Sequence, residues 1–425
     1  MAPVRIWAPR WLDEAIFLAF LLLAFIGVTP FKASDTLAEQ MGAVVQTGAG
    51  DSLRQLCYLA VFALILFQAA RRHGAALFRA LPLFLLVLLL WCVASALWSP
   101  EPAVTVRRAG LACVLVISAF LSLEAVGPSR GLAMWRWVLL AVLLINLVSV
   151  KFVAAAVHQA GELDPALVGN WRGLYGHKNI AGSVAAMTVL IFLFTPNRSF
   201  FGRLFDLAVV AASVFFLIGT HSKSSMGLLL VALGLGLAYR LAWRREIDRS
   251  IALVALGLVF LAGAVIALAD ETAISRLLDD PTGFTGRTEI WKAEMAYIRD
   301  HPLFGAGFGT FSNTGKASPL APYVGSWVTS ANHGHNGYLQ LLVTVGGIGF
   351  VFAFAGLLVQ PIAAFWRRGD TAMKALLFAL FAFLILHNLM ETDFLEGDGV
   401  TWVGFLVLLA MLRSPDANIA RTARA

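Results

Sequence analysis

The chain has 425 residues, of which 59% are hydrophobic and only 13% are charged. An average soluble domain is about 45–50% apolar and about 25% charged, so this composition excludes an ordinary soluble protein and a disordered chain. The net charge of +7 could suggest a nucleic-acid partner, but the long apolar runs exclude a nucleic-acid-binding domain. They also exclude a β-barrel, whose spans would be alternating segments of about 10 residues. We therefore expect an all-α integral membrane protein.

The apolar runs predict about 12 transmembrane helices, since a span needs roughly 20 mostly apolar residues. They form a single polytopic membrane domain over residues 1–425. The predicted spans cover residues 15–29, 54–70, 80–98, 109–127, 137–157, 179–195, 204–220, 224–242, 251–269, 336–359, 373–390 and 400–412.

The arginines and lysines of the connecting segments predict the orientation of the chain. Segments on the same side as the N-terminus are consistently basic, as in residues 71–79 and 240–249. Because basic loops stay in the cytoplasm, both termini are predicted to be cytoplasmic. The stretch 271–335, far longer than any other loop, then lies outside. Loops on a rigid scaffold carry chemistry, so this large loop is the predicted location of the catalytic residues.

The large loop contains a predicted helix followed by a turn rich in glycine and aromatic residues. Thr285 is a candidate N-cap, and apolar residues follow it at helical spacing until His301 and Pro302 end the helix. The turn that follows, residues 303–311, could cradle a ligand. We favour a packing or re-entrant turn instead.

Two histidines close the large loop, where the tenth span begins. His333 and His335 flank a glycine, and Asn336 follows them. A helix N-terminus favours an anion, and a histidine there can act as a general base because its unperturbed pKa of about 6.5 lies near working pH. The alternatives are a pair of interface anchors or an adventitious metal site.

Cationic side chains also occur on the outer side, which is otherwise poor in positive charge. They are Arg172, Lys178, Lys223 and Arg287. Arginine and lysine are phosphate-binding residues, and arginine can grip two oxygens at once. The alternative is that they anchor the chain at the membrane interface.

The sequence does not require a metal or another cofactor. The three cysteines, Cys57, Cys92 and Cys113, lie inside apolar runs and are predicted to be buried hydrophobic residues. The acidic loop 391–398 could bind a divalent cation, but we favour a solvated acidic loop.

Three motifs in chain order resemble the O-antigen ligase and polysaccharide polymerase superfamily. The first is the segment 171–179, and the second is 286–291. The third is His335-Asn336, then nine residues, then Gly346-Gly347-Ile348-Gly349. The resemblance covers the chain from Arg172 onward.

The resemblance implies a GT-C-like membrane glycosyltransferase of the bacterial inner membrane, with its active site facing the periplasm. Its donor would be an undecaprenyl-diphosphate-linked oligosaccharide, and its acceptor a lipid-linked repeat unit or lipid A-core. No nucleotide sugar, metal or nucleic acid would take part. His335 matches the essential histidine, with His333 and Asn336 as accessory candidates. Arg172 and Arg287 match the arginines that hold the diphosphate, and Lys178 and Lys223 are further candidates for it.

The sequence is compatible with three functions. The segments 176–179 and 222–224 are more similar to the exopolysaccharide polymerase branch of the superfamily, so polymerisation of surface polysaccharide repeat units is favoured. An O-antigen ligase of lipopolysaccharide biosynthesis is the alternative. The third is a transporter or flippase of lipid-linked sugar, which is disfavoured because the charged residues concentrate in one outer loop.

Overall fold

A computed structural model describes residues 10–31, 51–162, 165–244, 287–311, 318–324, 334–365 and 371–413. Within these ranges the regular structure is helical, and an isolated antiparallel bridge joins Val157 and Trp171. The helices are α1 (Arg10–Phe25), α2 (Ser52–His73), α3 (Leu83–Ala94), α4 (Pro102–Val126), α5 (Pro128–Phe152), α6 (Lys178–Phe194), α7 (Phe200–Thr220), α8 (Lys223–Arg244), α9 (Arg287–Asp300), α10 (Gly337–Phe365), α11 (Thr371–His387) and α12 (Val400–Arg413). Short 3₁₀ segments cover Gly74–Ala80, Ser95–Leu97, Ala154–Ala156, Pro165–Leu167 and Ala321–Tyr323.

The helices agree with an α-helical membrane protein. Six of those described, α2, α4, α5, α7, α8 and α10, are long and apolar enough to cross a bilayer. The remaining apolar helices α3, α6, α11 and α12 are shorter, and α1 overlaps the first predicted span. The predicted span 251–269 lies outside the described residues. The count of 12 spans and the GT-C-like fold therefore stay predictions.

Helices α6, α11 and α12 form the centre of the bundle. Their side chains are buried on nearly every face, as for Phe378, Phe381 and Trp402, each 0% exposed. A helix that is hydrophobic all round must be enclosed by protein or lipid. Helix α8 packs along α11, and α7 along α6, so these neighbours separate the central helices from the outside of the bundle.

The outer helices present large apolar side chains away from the protein. Leu64 and Phe67 of α2, Phe215 of α7 and Leu230 of α8 are all more than half exposed. A soluble protein rarely exposes apolar surface on this scale. These faces are suited to contact with lipid.

The glycine motif of α10 is explained by a backbone contact. At Gly346 the helix is interrupted by a residue with φ +66°, and the turn 302–309 docks against the gap. Gly347 N–H donates to the Pro302 carbonyl at 2.8 Å, and Ala306 N–H donates to the Val343 carbonyl at 2.8 Å. A Cβ at Gly346 would collide with the Leu303 backbone. The favoured packing role is therefore confirmed for residues 303–307, the part of the turn that docks on α10.

Helix α9 agrees with the helix predicted for the large loop. It ends at Asp300, directly before His301 and Pro302, and it packs on α10. Its Trp291 donates from Nε1 to the Gly334 carbonyl at 2.9 Å. This bond ties α9 to the residue that precedes His335. The predicted N-cap Thr285 lies outside the described residues.

Candidate active site

The acidic loop that follows α11 contains the centre of the candidate site. The expectation of a solvated loop is wrong for Glu391 and Asp393, each only 7% exposed. Asp393 is fixed from two sides, since His387 Nδ1 lies 2.7 Å from Oδ2 and Thr401 donates to Oδ1 at 2.6 Å. The loop is buried because its carboxylates have partners, and a buried charge without a partner is costly.

Glu391 joins three separate parts of the chain through one carboxylate. Its Oε1 accepts from Arg287 Nη2 at 2.7 Å and from Asn179 Nδ2 at 2.6 Å. Its Oε2 lies 3.2 Å from His335 Nδ1. The large loop, the start of α6 and the loop after α11 therefore meet at this residue, which we name the Glu391 cluster (Asn179, Arg287, His335 and Glu391).

The cluster keeps Glu391 ionised. Burial of the carboxyl opposes ionisation, but the hydrogen bond to His335 and the charges of Arg287 and the nearby histidines outweigh it. The pKa of Glu391 is therefore held well below its ordinary value. A negative charge is present beside His335 at any working pH.

His335 is held in an orientation that suits a base. Its backbone has φ +54°, and its side chain is 24% exposed, so it is the most accessible of the three ionisable members of the cluster. When Nδ1–H donates to Glu391, the other ring nitrogen, Nε2, carries the lone pair. This is the arrangement in which a carboxylate orients a catalytic histidine.

Arg287 is the first residue of α9 and is held by two acceptors. Besides Glu391, its Nη1 donates to the Met390 carbonyl at 2.6 Å. Its side chain is 13% exposed. The guanidinium is thus fixed in position at the same loop that orients His335.

Asn336 has a structural role that the sequence analysis did not assign. Its Oδ1 accepts from the backbone N–H of Tyr338 and Leu339 at 3.0 and 3.1 Å. It is the N-cap of α10. The amide of Gly337 donates to the carbonyls of Asn388 and Glu391. The first amides of α10 are therefore occupied, and the expected anion at this helix N-terminus is not supported. His333 lies outside the described residues.

Lys178 and Lys223 are the first residues of α6 and α8. Each is adjacent in sequence to a residue of one hydrogen-bond chain. Ser222 donates to Asn179 Oδ1 at 3.0 Å, and Asn179 donates to Glu391. Lys223 is exposed and Lys178 is half-buried. The starts of α6, α8 and α9 therefore converge on the cluster, and each helix N-terminus adds partial positive charge.

Arg172 does not lie where a residue that faces a diphosphate was expected. Its side chain is only 1% exposed and pairs with Glu162 at 3.2 Å. Its Nε donates to the Ala155 carbonyl at 2.8 Å. In this arrangement Arg172 supports the loop that leads into α6, because its guanidinium is enclosed by the loop. A diphosphate contact at Arg172 stays a prediction.

His158 completes this second group, which we name the Glu162 network (His158, Glu162 and Arg172). His158 Nδ1 lies 2.5 Å from Glu162 Oε2, and its Nε2 accepts the backbone N–H of Lys178 at 3.3 Å. Burial lowers the pKa of His158, even though Glu162 opposes this shift. The neutral ring can therefore accept the bond that fixes the start of α6.

His177, the N-cap of α6, is a further histidine that the sequence analysis did not select. Its Nδ1 accepts from the Asn179 backbone N–H at 3.2 Å. Burial lowers the pKa of His177 to about 4, opposed by the charge of Glu391. His177 is thus neutral at pH 7.

Glu294 is a buried carboxyl next to the cluster. It is 0% exposed, and among the residues that the structure describes neither of its oxygens has a hydrogen-bond partner. Burial raises the pKa of Glu294 well above its ordinary value and so favours the protonated form. A Cβ on Gly334 would collide with it, which explains the glycine before His335.

No metal-binding group of three or more His, Cys, Asp or Glu side chains occurs in the part of the chain that the structure describes. In the Glu391 cluster both carboxylate oxygens already have protein partners. The residues that the sequence analysis missed are Glu391 and Asn179. Both were visible as polar residues at the ends of apolar runs, Asn179 directly after Lys178, but only the fold brings them together.

Comparison with known proteins supports the resemblance. The sequence profile of the O-antigen ligase family matches residues 207–354. This range includes Arg287, His335 and the glycine motif, whereas Arg172 and Glu391 lie outside it. No curated protein matches the chain. The family match confirms that this chain is similar to the O-antigen ligase superfamily, to which its motifs point.

Proposed function

We propose that the protein is a membrane glycosyltransferase that transfers a glycan from a polyprenyl-diphosphate carrier to a sugar hydroxyl of an acceptor. The observation that carries the proposal is the Glu391 cluster, in which one carboxylate orients His335 and holds Arg287 at the same loop. The family match supports the same class of reaction. The carrier is proposed to be undecaprenyl diphosphate, and the site to face the periplasm of the inner membrane.

In the proposed chemistry His335 and Glu391 act on the acceptor, and the cations act on the leaving group. The acceptor hydroxyl oxygen attacks the anomeric carbon, and its proton passes to His335 Nε2. Glu391 stabilises the imidazolium that forms, as a buried carboxylate does beside a catalytic histidine. The bond between the anomeric carbon and the diphosphate oxygen breaks, and the diphosphate leaves with the electron pair.

The cations of the site act on the leaving group. Negative charge grows on the diphosphate as the bond breaks, and positioned cations stabilise such a transition state. Arg287, Lys178 and Lys223 are the proposed donors. They supply the charge stabilisation that a metal ion gives in other transferases, so the proposed reaction needs no metal.

The proposed reaction is polymerisation of repeat units, on the similarity of segments 176–179 and 222–224 to the polymerase branch. The second candidate is ligation to lipid A-core, which is favoured by the description of the matched family as O-antigen ligase. Purified protein given only the lipid-linked repeat unit should produce a ladder of longer lipid-linked products. Product formation only after lipid A-core is added would assign the ligase reaction instead.

Donor binding measured beside transfer tests the proposed class of reaction. The His335→Ala protein should bind radiolabelled lipid-linked glycan like the wild type but should transfer it about 100-fold more slowly or worse. Transfer by His335→Ala at the wild-type rate would overturn the proposal. Movement of lipid-linked glycan across vesicles by wild-type protein, without any new glycosidic bond, would assign a transporter.

A further inference from the structure

A cavity of about 510 Å³ is lined in part by residues 394–399 of the loop that contains Glu391, and it has no role in the chemistry described above. Its walls come from the start of α2, from α4, from the docked turn 308–311, from α10 and from the loop after α11. The lining includes Arg54, Arg108, Phe308, Gln340, Glu396 and Asp398. Ligand sites in proteins typically measure about 300–1,000 Å³, so this cavity is large enough for a small organic ligand.

Gln340 connects the cavity to the catalytic histidine. Its Oε1 accepts from the backbone N–H of Gly334 at 2.8 Å, directly before His335. Its Nε2 donates at 3.1 Å to Oε2 of Glu396, which also lines the cavity. The same loop that places Glu391 in the cluster thus places Glu396 in the cavity. A ligand in the cavity would lie next to the segment that carries His335.

The charges of the cavity favour a hydroxyl-rich ligand over an anion or a lipid tail. Arg54 pairs with Asp398 at 3.0 Å, and the lining holds two carboxylates, Glu396 and Asp398, against its two arginines, so it has no excess of positive charge. A diphosphate would need an excess of positive charge. A polyprenyl chain would need an apolar lining. Sugar hydroxyls both donate and accept, and this lining offers both kinds of partner beside aromatic residues.

The cavity and the cationic side of the site are built from different helices. Lys178 and Lys223 begin α6 and α8, and neither helix contributes a residue to the lining. The cations assigned to the leaving group and the mixed lining of the cavity therefore belong to separate parts of the structure. A transfer reaction requires such a separation, because the diphosphate donor and the glycan acceptor must be bound at the same time.

We propose that this cavity binds the sugar units of the acceptor and presents a hydroxyl to His335. The inference rests on the proposed glycosyltransferase function and adds the location and chemistry of the acceptor site. Glu396 and Gln340 would hydrogen-bond hydroxyls, and Phe308 and Phe311 would pack against the apolar faces of the sugar ring.

A substitution that fills the cavity tests the proposal. Leu111 of α4 lines the cavity, and Leu111→Trp should obstruct it. Val106 of the same helix is 54% exposed and does not line the cavity, so Val106→Trp is the matched control. Glu396→Ala removes a polar group without filling space, and it keeps the test decisive if Leu111→Trp does not fold.

Two probes separate the acceptor site from the reaction. One is the free oligosaccharide released by mild acid from lipid-linked glycan, together with free core oligosaccharide, whose binding is followed by saturation-transfer NMR. The other is radiolabelled undecaprenyl diphosphate, which carries no sugar and reports binding of the donor's carrier group. Leu111→Trp and Glu396→Ala should weaken oligosaccharide binding and raise the KM for acceptor by about tenfold or more, as expected for loss of a good hydrogen bond or its site. Donor binding and the Val106→Trp protein should be unchanged.

The outcomes distinguish the two proposals. If wild-type protein transfers glycan while both cavity variants keep normal oligosaccharide binding and acceptor KM, the acceptor-site inference is wrong and the proposed function stands. If the variants lose donor binding instead, the cavity belongs to the donor and the inference is also wrong. If wild-type protein transfers nothing but binds the free oligosaccharide, and the variants do not, the cavity is a sugar site and the proposed function fails.

Discussion

Two places in the molecule combine an arginine, a glutamate and a histidine. In the Glu391 cluster the histidine is 24% exposed. In the Glu162 network both the histidine and the arginine are 1% exposed. The side-chain chemistry is the same in both. The difference is access, and it indicates that the first trio can meet a substrate whereas the second stabilises a loop.

The charge states of the two trios also resemble each other. The pKa of Glu162 is lowered, since the bonds from His158 and Gln159 and the charge of Arg172 outweigh its burial. Glu391 is ionised for the same kind of reason. A carboxylate with a shifted pKa therefore does not by itself identify the active site of this protein. Substitutions that affect rate in one trio and stability in the other can.

The largest effect is expected at the two histidines. His335→Ala should lower the transfer rate by about 10²–10⁴-fold, the usual contribution of a general base, while the amount of folded protein stays normal. His158→Ala should instead reduce the yield of folded protein, because Glu162 loses one of its partners and the Lys178 amide loses its acceptor. Transfer per folded molecule is measured in matched membranes. Equal loss of rate in both variants would mean that access does not separate the two trios.

The arginines should show the second largest difference. Arg287→Lys keeps the charge but loses the fork that reaches both Glu391 and Met390. Its transfer rate should fall by about 10²–10³-fold, as for loss of one transition-state donor. Arg172→Lys should lower thermal stability more than rate, since its contacts are with Glu162 and backbone carbonyls. A rate loss at Arg172 as large as at Arg287, in stable protein, would restore the predicted diphosphate contact.

Glu391→Gln should cost about 3 kcal/mol of stability at neutral pH, because it leaves the charge of Arg287 without its buried partner. The pKa of Glu391 is lowered on folding, so its contribution is present above the unfolded value of about 4.3 and is lost as the pH falls below it. The difference from wild type should therefore shrink in acid. Apparent melting temperatures at pH 7 and at about pH 3, well below the unfolded value, measure it.

A matched control for Glu391→Gln is available on the surface. Glu14 pairs with Arg130, and both side chains are exposed, so Glu14→Gln should cost no more than about 1 kcal/mol. If the two variants lose the same stability at pH 7, Glu391 is not the centre of the site that the contacts indicate.

Gly346→Ala should have a smaller effect on stability. It changes α10, the helix that supports both the site and the cavity, rather than the site itself. The φ of +66° is strained for alanine, and its Cβ would meet the Leu303 backbone. We expect a loss of about 1–3 kcal/mol, the usual cost of such strain. Gly234 of α8 has open space around it, and Gly234→Ala should be neutral. Thermal melts that rank the two variants in the opposite order would contradict the docking contact.

The smallest expected effect is that of chelation. The purified protein should transfer glycan equally well in excess EDTA, because Arg287 and the lysines are proposed to stabilise the leaving group. Activity that is lost in EDTA and restored by Mg²⁺ would contradict this assignment. The wild-type rate with and without chelator is the measurement.

The helices could be predicted from the sequence, because an apolar run long enough to span a bilayer can form few structures other than a helix. The helix Arg287–Asp300 was predicted for a similar reason, since its periodicity and the following His301-Pro302 are local signals. The role of Glu391 was not accessible. A carboxylate in a loop has no local feature that separates a solvated side chain from a buried one.

By itself the sequence determined a polytopic helical membrane protein, a large loop with a helix, and the similarity of its motifs to the O-antigen ligase superfamily. Only the tertiary structure decided which polar residues work together. It joined Asn179, Arg287 and His335 through Glu391, and it enclosed Arg172 with Glu162. The physical reason is that hydrophobicity and periodicity are properties of neighbouring residues. Burial and ion pairing depend on residues far apart in the chain, which meet only when the helices pack.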